Sequence, residues 1–186
     1  MICCNGSITK KVRPEYRGTE SPFNPNALEA VATAFALGVP SIALLVLPSS
    51  SSVQRAVYEL REMGVNAHGL DLLVGEKGRS HLLHGVGTGE ETPTVLVSTI
   101  ATTRGLDLPA LSHVFILGIP EGPKITGRAV DAYVHLAGRV GRFGRGGRVV
   151  TIVEESTGVG GVSEGEKMDR ILQTIRARAV RLEHFD

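Results

Sequence analysis

The chain has 186 residues and a formal net charge of +1, which fits one domain. Because it is almost neutral, any affinity for a polyanion has to come from local clusters of basic residues. The two cysteines, Cys3 and Cys4, are adjacent and form neither a disulfide framework nor a metal-binding spacing. A reducing, intracellular compartment is expected, without a choice among cytoplasm, nucleus and mitochondrion. The longest apolar run, Ile42 to Leu47, is too short to cross a membrane, so no membrane partner is expected.

Predicted strands alternate with predicted helices from residue 24 onward. Residues 1–23 lack periodicity and are expected to form a poorly ordered leader or a linker stub, and residues 24–186 one domain. The predicted strands are 41–47, 65–70, 94–99, 113–117 and 148–153. The predicted helices begin at Asn24-Pro25 and Val53 or cover about 76–85, 129–138 and 164–182. This order predicts an α/β fold with an open, mostly parallel twisted sheet and helices on both faces.

An arginine-rich stretch follows the helix predicted at 129–138. Its arginines stand at every third position and no acidic residue lies between them: Arg139, Arg142, Arg145 and Arg148. A guanidinium is always charged and offers a rigid fork of donors, so a pair of them suits a phosphate chain. The alternative is a solvated basic turn.

Parallel sheets bind ligands beyond the carboxyl ends of their strands. That edge of the sheet is predicted to hold three segments together: Ser49–Ser52, Ile100–Pro109 and the arginine stretch.

Two segments resemble motifs of the DEAD-box RNA helicases. Ser98–Asp107, STIATTRGLD, resembles motif V, and Tyr133–Arg142, YVHLAGRVGR, resembles motif VI. Order, spacing and flanking strands agree over about residues 28–153. The chain is therefore similar to the second, C-terminal RecA-like domain of such a helicase, which is a P-loop NTPase type of fold. An unrelated doubly wound protein, such as a flavodoxin-like binder, is the remote alternative.

The resemblance implies a nucleotide site. Arg139 and Arg142 match the catalytic arginines that reach across the interdomain cleft to the nucleotide's phosphates. Asp107 matches the acid that accepts from the ribose hydroxyls, with a helix or turn cap as the alternative, and Gly105 is assigned to the same nucleotide site.

The resemblance also implies RNA contacts. Thr99 and Gly105 match positions near the RNA backbone, where a hydroxyl and an unobstructed amide donate to phosphate. Arg79 resembles the arginine of a short Gln-x-x-Arg motif, although Glu76 replaces the glutamine, and an ordinary surface arginine is the alternative. Ser49 and Ser50 lie where motif IV contacts RNA, with a plain cap of the next helix as the alternative.

Two further residues are expected at the contact with the first domain, and two depart from the family pattern. Arg104 and His135 match interdomain positions, with simple packing as the alternative for His135. Leu136 replaces the basic residue that normally follows the histidine, and Ile100 replaces the acid that normally follows the motif V threonine. Both departures bear on the coupling between nucleotide and RNA.

The sequence contains no Gly-Lys dipeptide for a phosphate loop and no Asp-Glu pair for magnesium. ATP and its Mg²⁺ are therefore expected to be held by an N-terminal RecA-like domain, and this chain alone is expected not to hydrolyse ATP. The expected function is the C-terminal half of an ATP-dependent RNA helicase that remodels RNA. The alternative is a non-catalytic RNA-binding or assembly module, favoured by Leu136 and Ile100.

Overall fold

The structure, a computed structural model, describes residues 2–3, 21–36, 42–70, 93–103, 111–119, 125–140, 146–153 and 162–180. Within these ranges six strands form one sheet, in the order β1-β6-β5-β2-β4-β3, and every pairing is parallel. The strands are β1 (Ile2–Cys3), β2 (Ile42–Leu47), β3 (Ala67–Gly69), β4 (Thr94–Thr99), β5 (His113–Leu117) and β6 (Arg148–Val153). The helices are α1 (Pro25–Ala36), α2 (Val53–Glu62), α3 (Ile100–Thr103), α4 (Gly127–Ala137) and α5 (Glu164–Thr174).

Strand β2 lies at the centre of the sheet and all six of its residues are buried. It is hydrogen-bonded to β4 on one side and to β5 on the other. A strand covered on both faces has no polar face, which explains the unbroken apolar run that the sequence shows here. The prediction of a buried parallel strand is therefore confirmed.

Helices cover both faces of the sheet. Alternate residues of a strand point to opposite faces of the sheet. Leu45 of β2 and Phe115 of β5 therefore pack with α1 and α2, whereas Leu44 of β2 and Ile116 of β5 pack with α4 and α5. Two separate apolar clusters result, one on each side of the sheet. The predicted open α/β, RecA-like architecture is confirmed.

Short polar side chains fix where the helices begin. Asn24 Oδ1 accepts from the Asn26 amide at 3.0 Å, which confirms Asn24 as the start of α1. Ser52 Oγ accepts from the Arg55 amide at 3.3 Å and caps α2. The cap therefore belongs to Ser52, and the alternative cap role for Ser49 and Ser50 is not realised.

The predicted leader contributes to the fold at both of its ends. Ile2 and Cys3 pair with Ile152 and Val153 of β6, and Phe23 is buried in the core beside α1. Strand β1 and the buried Phe23 therefore belong to the described fold, whereas residues 4–20 lie outside the described residues, and the expectation of a poorly ordered leader or linker stub stays a prediction. A strand of two residues is too short to show the alternation by which strands are recognised. The helix predicted at 76–85 lies outside the described residues.

The last helix is shorter than predicted and ends at Thr174 rather than near 182. Arg176 adopts a left-handed conformation with φ 55°. The Ala177 amide donates to the Leu172 carbonyl at 2.9 Å and the Arg176 amide to the Gln173 carbonyl at 3.1 Å. These two bonds form a Schellman motif, which usually carries glycine at the left-handed position. Because arginine stands there, the end of the helix leaves no signal in the sequence.

We expect Arg176→Gly to stabilise the protein by about 1 kcal/mol, because glycine adopts the left-handed conformation without a steric penalty. The measurement is the free energy of unfolding by urea. Arg178→Gly is the matched control, since Arg178 is also exposed but has no positive φ. Equal changes in the two variants would show that the conformation of Arg176 carries no strain.

Candidate functional site

Exposed serines lie at the carboxyl edge of the sheet, beyond β2. Leu47 and Thr99, the last residues of β2 and β4, are register partners, so the segments that follow them start side by side. Ser49 and Ser50 are exposed in a turn closed by a 3.0 Å bond from the Ser51 amide to the Pro48 carbonyl. The prediction that the Ser49–Ser52 and Ile100–Pro109 segments begin at one edge is confirmed.

The segment after β4, predicted as a loop, begins as the four-residue helix α3. Threonine side chains hold this turn together. Thr99 Oγ1 lies 2.9 Å from Thr102 Oγ1, and the Thr103 hydroxyl donates to the Ile100 carbonyl at 2.9 Å. Such local bonds are not visible as a periodic pattern in the sequence. Thr99 is only 8% exposed, so its hydroxyl is less open to a ligand than the sequence suggested.

The arginine stretch begins near the amino end of the central strands, not at their carboxyl edge. Val140 forms a parallel bridge with Leu111, just before β5 begins, and His113 is in register with Arg148. This corrects the predicted common edge. The physical reason is the path of α4, which leaves the carboxyl end of β5 and has to return the chain to the amino end of β6.

Arg139 is buried, with an exposed fraction of 6%. Its Nη2 lies 2.7 Å from Nε2 of His135 and 3.4 Å from the carbonyl oxygen of Thr103. Arginine only donates, so His135 Nε2 has to be the acceptor and carries no proton in this arrangement. The guanidinium thereby joins the end of α4 to the end of α3. It connects the two segments that the sequence singled out, and it lies inside the fold and not in solvent.

The remaining predicted site residues divide into two groups. His135 is exposed on α4 and keeps its ring at the protein surface while bonding Arg139. The others lie outside the described residues: Arg79, Arg104, Gly105, Asp107 and Arg142.

Both departures from the family pattern are core residues. Ile100 and Leu136 are 6% and 2% exposed and belong to the same apolar cluster on the α4/α5 face of the sheet. Sequence reasoning treated them only as missing charges. The signal for Leu136 was its helical spacing from Tyr133, which is buried in the same cluster.

His113 is a structural residue of the fold. It is buried, stacks on Phe115 with ring centroids 5.7 Å apart, and its Nδ1 lies 2.9 Å from the Ser112 hydroxyl oxygen. Burial lowers the pKa of His113 below its usual value, and the nearby charge of Arg148 lowers it further. This ring is therefore kept neutral inside the fold. The described part of the chain holds no group of three residues suited to a metal ion.

Fold and site together define a RecA-like α/β domain whose arginine-bearing helix contacts the segment after a neighbouring strand. A family model described as "Helicase conserved C-terminal domain" matches residues 36–144, more than half of the chain. The chain therefore belongs to this family and is a C-terminal domain of the DEAD-box helicase type. No helix among the described residues is long and apolar enough to cross a membrane.

Individual relatives agree with this assignment. The ATP-dependent RNA helicase SrmB of Escherichia coli is 35% identical over 95 residues, which is 51% of this chain and 19% of the helicase. The solved C-terminal domain of the DEAD-box protein Dbp5 superposes with a TM-score of 0.63 at 18% identity, covering 88% of this chain and 87% of that domain. Domain 2 of the DEAD-box helicase Mss116p, solved bound to an RNA duplex, superposes with a TM-score of 0.61 at 15% identity, covering 87% of this chain and 60% of that one. The chain thus spans about a fifth of the curated helicase SrmB.

We expect Leu136→Ala to destabilise the protein by about 3 kcal/mol, because it leaves a cavity in the core beside the candidate site. Val134→Ala on the same helix is the control: Val134 is 47% exposed, and we expect a change within about 0.5 kcal/mol. Thermal and urea unfolding measure both. If Leu136→Ala were as mild as the control, the departure from the family pattern would not be explained by packing.

Proposed function

We propose that this chain forms the C-terminal half of an ATP-dependent RNA helicase. In this role it supplies arginines to the nucleotide and contacts to the RNA backbone during ATP-driven unwinding or remodelling. Membership of the helicase C-terminal domain family supports the class of protein. The name of SrmB supports ATP and RNA as the ligands of the complete protein.

The observation that carries the proposal is the position of Arg139. Its guanidinium lies where the end of α4 meets the end of α3, within hydrogen-bonding distance of the Thr103 carbonyl. The two segments that resemble motifs V and VI are thus in direct contact through a permanent positive charge. A permanent positive charge suits phosphates, and this buried guanidinium would turn outward to reach phosphates presented from outside the domain.

Phosphoryl transfer explains why arginines are needed. The transition state spreads negative charge over the transferred phosphoryl group, and catalysis consists mainly of positioning and charge stabilisation. Arg139 and Arg142 would supply that stabilisation, while Asp107 would accept from the ribose hydroxyls and Gly105 would let the backbone approach. The phosphate loop and the Mg²⁺ carboxylate would come from an N-terminal RecA-like domain, the main protein partner. Arg104 and His135 would lie at the contact with it.

RNA would bind at the carboxyl edge of the sheet. Ser49 and Ser50 are exposed there, beside the segment in which the Thr99 and Thr102 hydroxyls lie 2.9 Å apart. Hydroxyls and backbone amides donate to phosphate oxygens without reading bases. Arg79 and Gly105 would add further contacts to the backbone. Binding of this kind is insensitive to sequence and weakens as salt rises. The RNA duplex bound by domain 2 of Mss116p supports RNA as a ligand of this chain by analogy of fold.

The second candidate is a non-catalytic RNA-binding or assembly module. Ile100 and Leu136 are apolar where the family carries charge, which favours loss of coupling to nucleotide. Their burial gives each a packing role that is independent of coupling. Burial therefore weakens the case for this candidate, and RNA-stimulated ATP turnover separates it from the first.

We expect Arg139→Ala and Arg142→Ala each to lower kcat for ATP hydrolysis about 10³-fold or more in a protein that joins this chain to a DEAD-box first domain. The measurement is phosphate release at saturating RNA. Arg178→Ala is the control, because Arg178 is exposed and follows the last helix, and it should leave turnover unchanged. Full turnover in both site variants would exclude the two arginines from catalysis. No turnover in the unaltered two-domain protein would favour the non-catalytic candidate.

We expect the double change Ser49→Ala/Ser50→Ala, and separately Arg79→Ala, to weaken RNA binding by the same factor for all sequences, because the contacts are to the backbone. Fluorescence anisotropy with homopolymer and mixed-sequence strands measures this, and Arg79→Ala should also reduce the salt dependence of binding. Gln54→Ala, at an exposed position of α2, is the control. A loss confined to one sequence would indicate base recognition instead.

A further inference from the structure

Arg139 is held inward by a residue that is itself exposed. Arg139 is 6% exposed, whereas His135 is exposed, and Nη2 of the arginine lies 2.7 Å from Nε2 of the histidine. The two residues are four positions apart, the spacing at which side chains on a helix meet. Arg139 follows the C-cap residue Gly138 of α4, so the bond closes over the end of this helix.

The bonds of Nη2 account for both of its hydrogens. One is directed to His135 Nε2 and the other to the Thr103 carbonyl at 3.4 Å. A terminal guanidinium nitrogen carries two N–H groups. In this arrangement Nη2 therefore has no donor left for a phosphate oxygen. For Nη2 to bind a phosphate, at least one of the two bonds has to break.

The two bonds differ in strength and in access. The contact with His135 is the shorter, and it is made by a ring at the protein surface, where another molecule can reach it. The contact with Thr103 is longer and goes to a buried residue whose hydroxyl also holds α3 together. His135 is thus the acceptor that can be changed without disturbing the core.

We propose that His135 is a positioning residue that contributes to keeping Arg139 retracted, and that loss of this acceptor favours movement of the guanidinium toward the nucleotide's phosphates. The inference rests on the proposed function of Arg139 as a phosphate-contacting arginine. It adds that both N–H groups of Nη2 are engaged in the arrangement described here, and that a molecule engaging His135 Nε2 also sets the availability of Arg139.

The protonation state of the ring is the first test, made on the chain as it is. Since His135 Nε2 accepts from an arginine, the neutral ring has to carry its proton on Nδ1. Nitrogen NMR at alkaline pH should report the Nδ1–H form in the unaltered chain and a shift toward the Nε2–H form in Arg139→Ala. A ring with its proton on Nε2 in the unaltered chain would overturn the inference.

The second test measures how accessible Arg139 is. Phenylglyoxal modifies exposed guanidinium groups, and peptide mass mapping gives the rate at Arg139. His135→Phe keeps a flat ring but has no acceptor, so we expect modification about fivefold faster, the factor that corresponds to one lost hydrogen bond. His135→Gln has a carbonyl oxygen that accepts at the same position, and we expect a rate close to that of the unaltered chain.

The outcomes separate this inference from the proposed function. If His135→Phe leaves the rate unchanged, or if Phe and Gln raise it equally, the acceptor on His135 does not hold Arg139 and the inference is wrong. Neither readout involves nucleotide, so these results stand whether or not Arg139 acts in ATP hydrolysis. Conversely, unimpaired ATP turnover in Arg139→Ala would contradict the proposed function but would not bear on the hydrogen bond seen in the unaltered chain.

Discussion

Strand β2 is buried on both faces and hydrogen-bonded on both sides, and the rest of the domain is arranged to meet that requirement. Its backbone groups are satisfied by β4 and β5, and its side chains by one layer of helices on each face. Parallel neighbours need long connections that cross over a face of the sheet. Helices α2 and α4 each follow a strand and lead back toward the start of the next one, because a connection between parallel strands begins at the carboxyl edge and ends at the amino edge. Where the functional residues lie follows from this path.

The path separates two surfaces. Ser49 and Ser50, which leave β2, are exposed at the carboxyl edge, whereas the arginine stretch begins beside the amino end of β5. Helix α3 starts at the first surface, directly after Thr99. The Arg139 guanidinium reaches its last residue, Thr103, from the second. If RNA binds at one surface and nucleotide at the other, this hydrogen bond is a direct physical link between the two surfaces.

Ile100 and Leu136 are apolar where the family pattern carries charged residues, and the packing of the domain accommodates both. Charges at these positions would be costly in the surroundings seen here, because both side chains are almost fully buried in one apolar cluster. Apolar residues suit the cluster and stabilise the two segments that Arg139 joins. A residue that departs from a family pattern can therefore serve packing as well as function. The burial of its side chain indicates how far packing explains the departure.

The sequence alone determined the class of fold and the identity of most elements, because strands buried on both faces and amphipathic helices leave strong local patterns. The strands 94–99, 113–117 and 148–153 have the predicted bounds. It also identified the two motifs, since these are runs of neighbouring residues. Tertiary structure decided what depends on contacts between distant residues. The pairing of Ile2 and Cys3 with β6, the bond from Arg139 to Thr103 and the return of the arginine stretch to the amino edge leave no periodic signal in the chain. Arg176 is a local feature that the sequence also did not reveal. Its left-handed conformation ends the last helix, but only a glycine at that position would have predicted such an end.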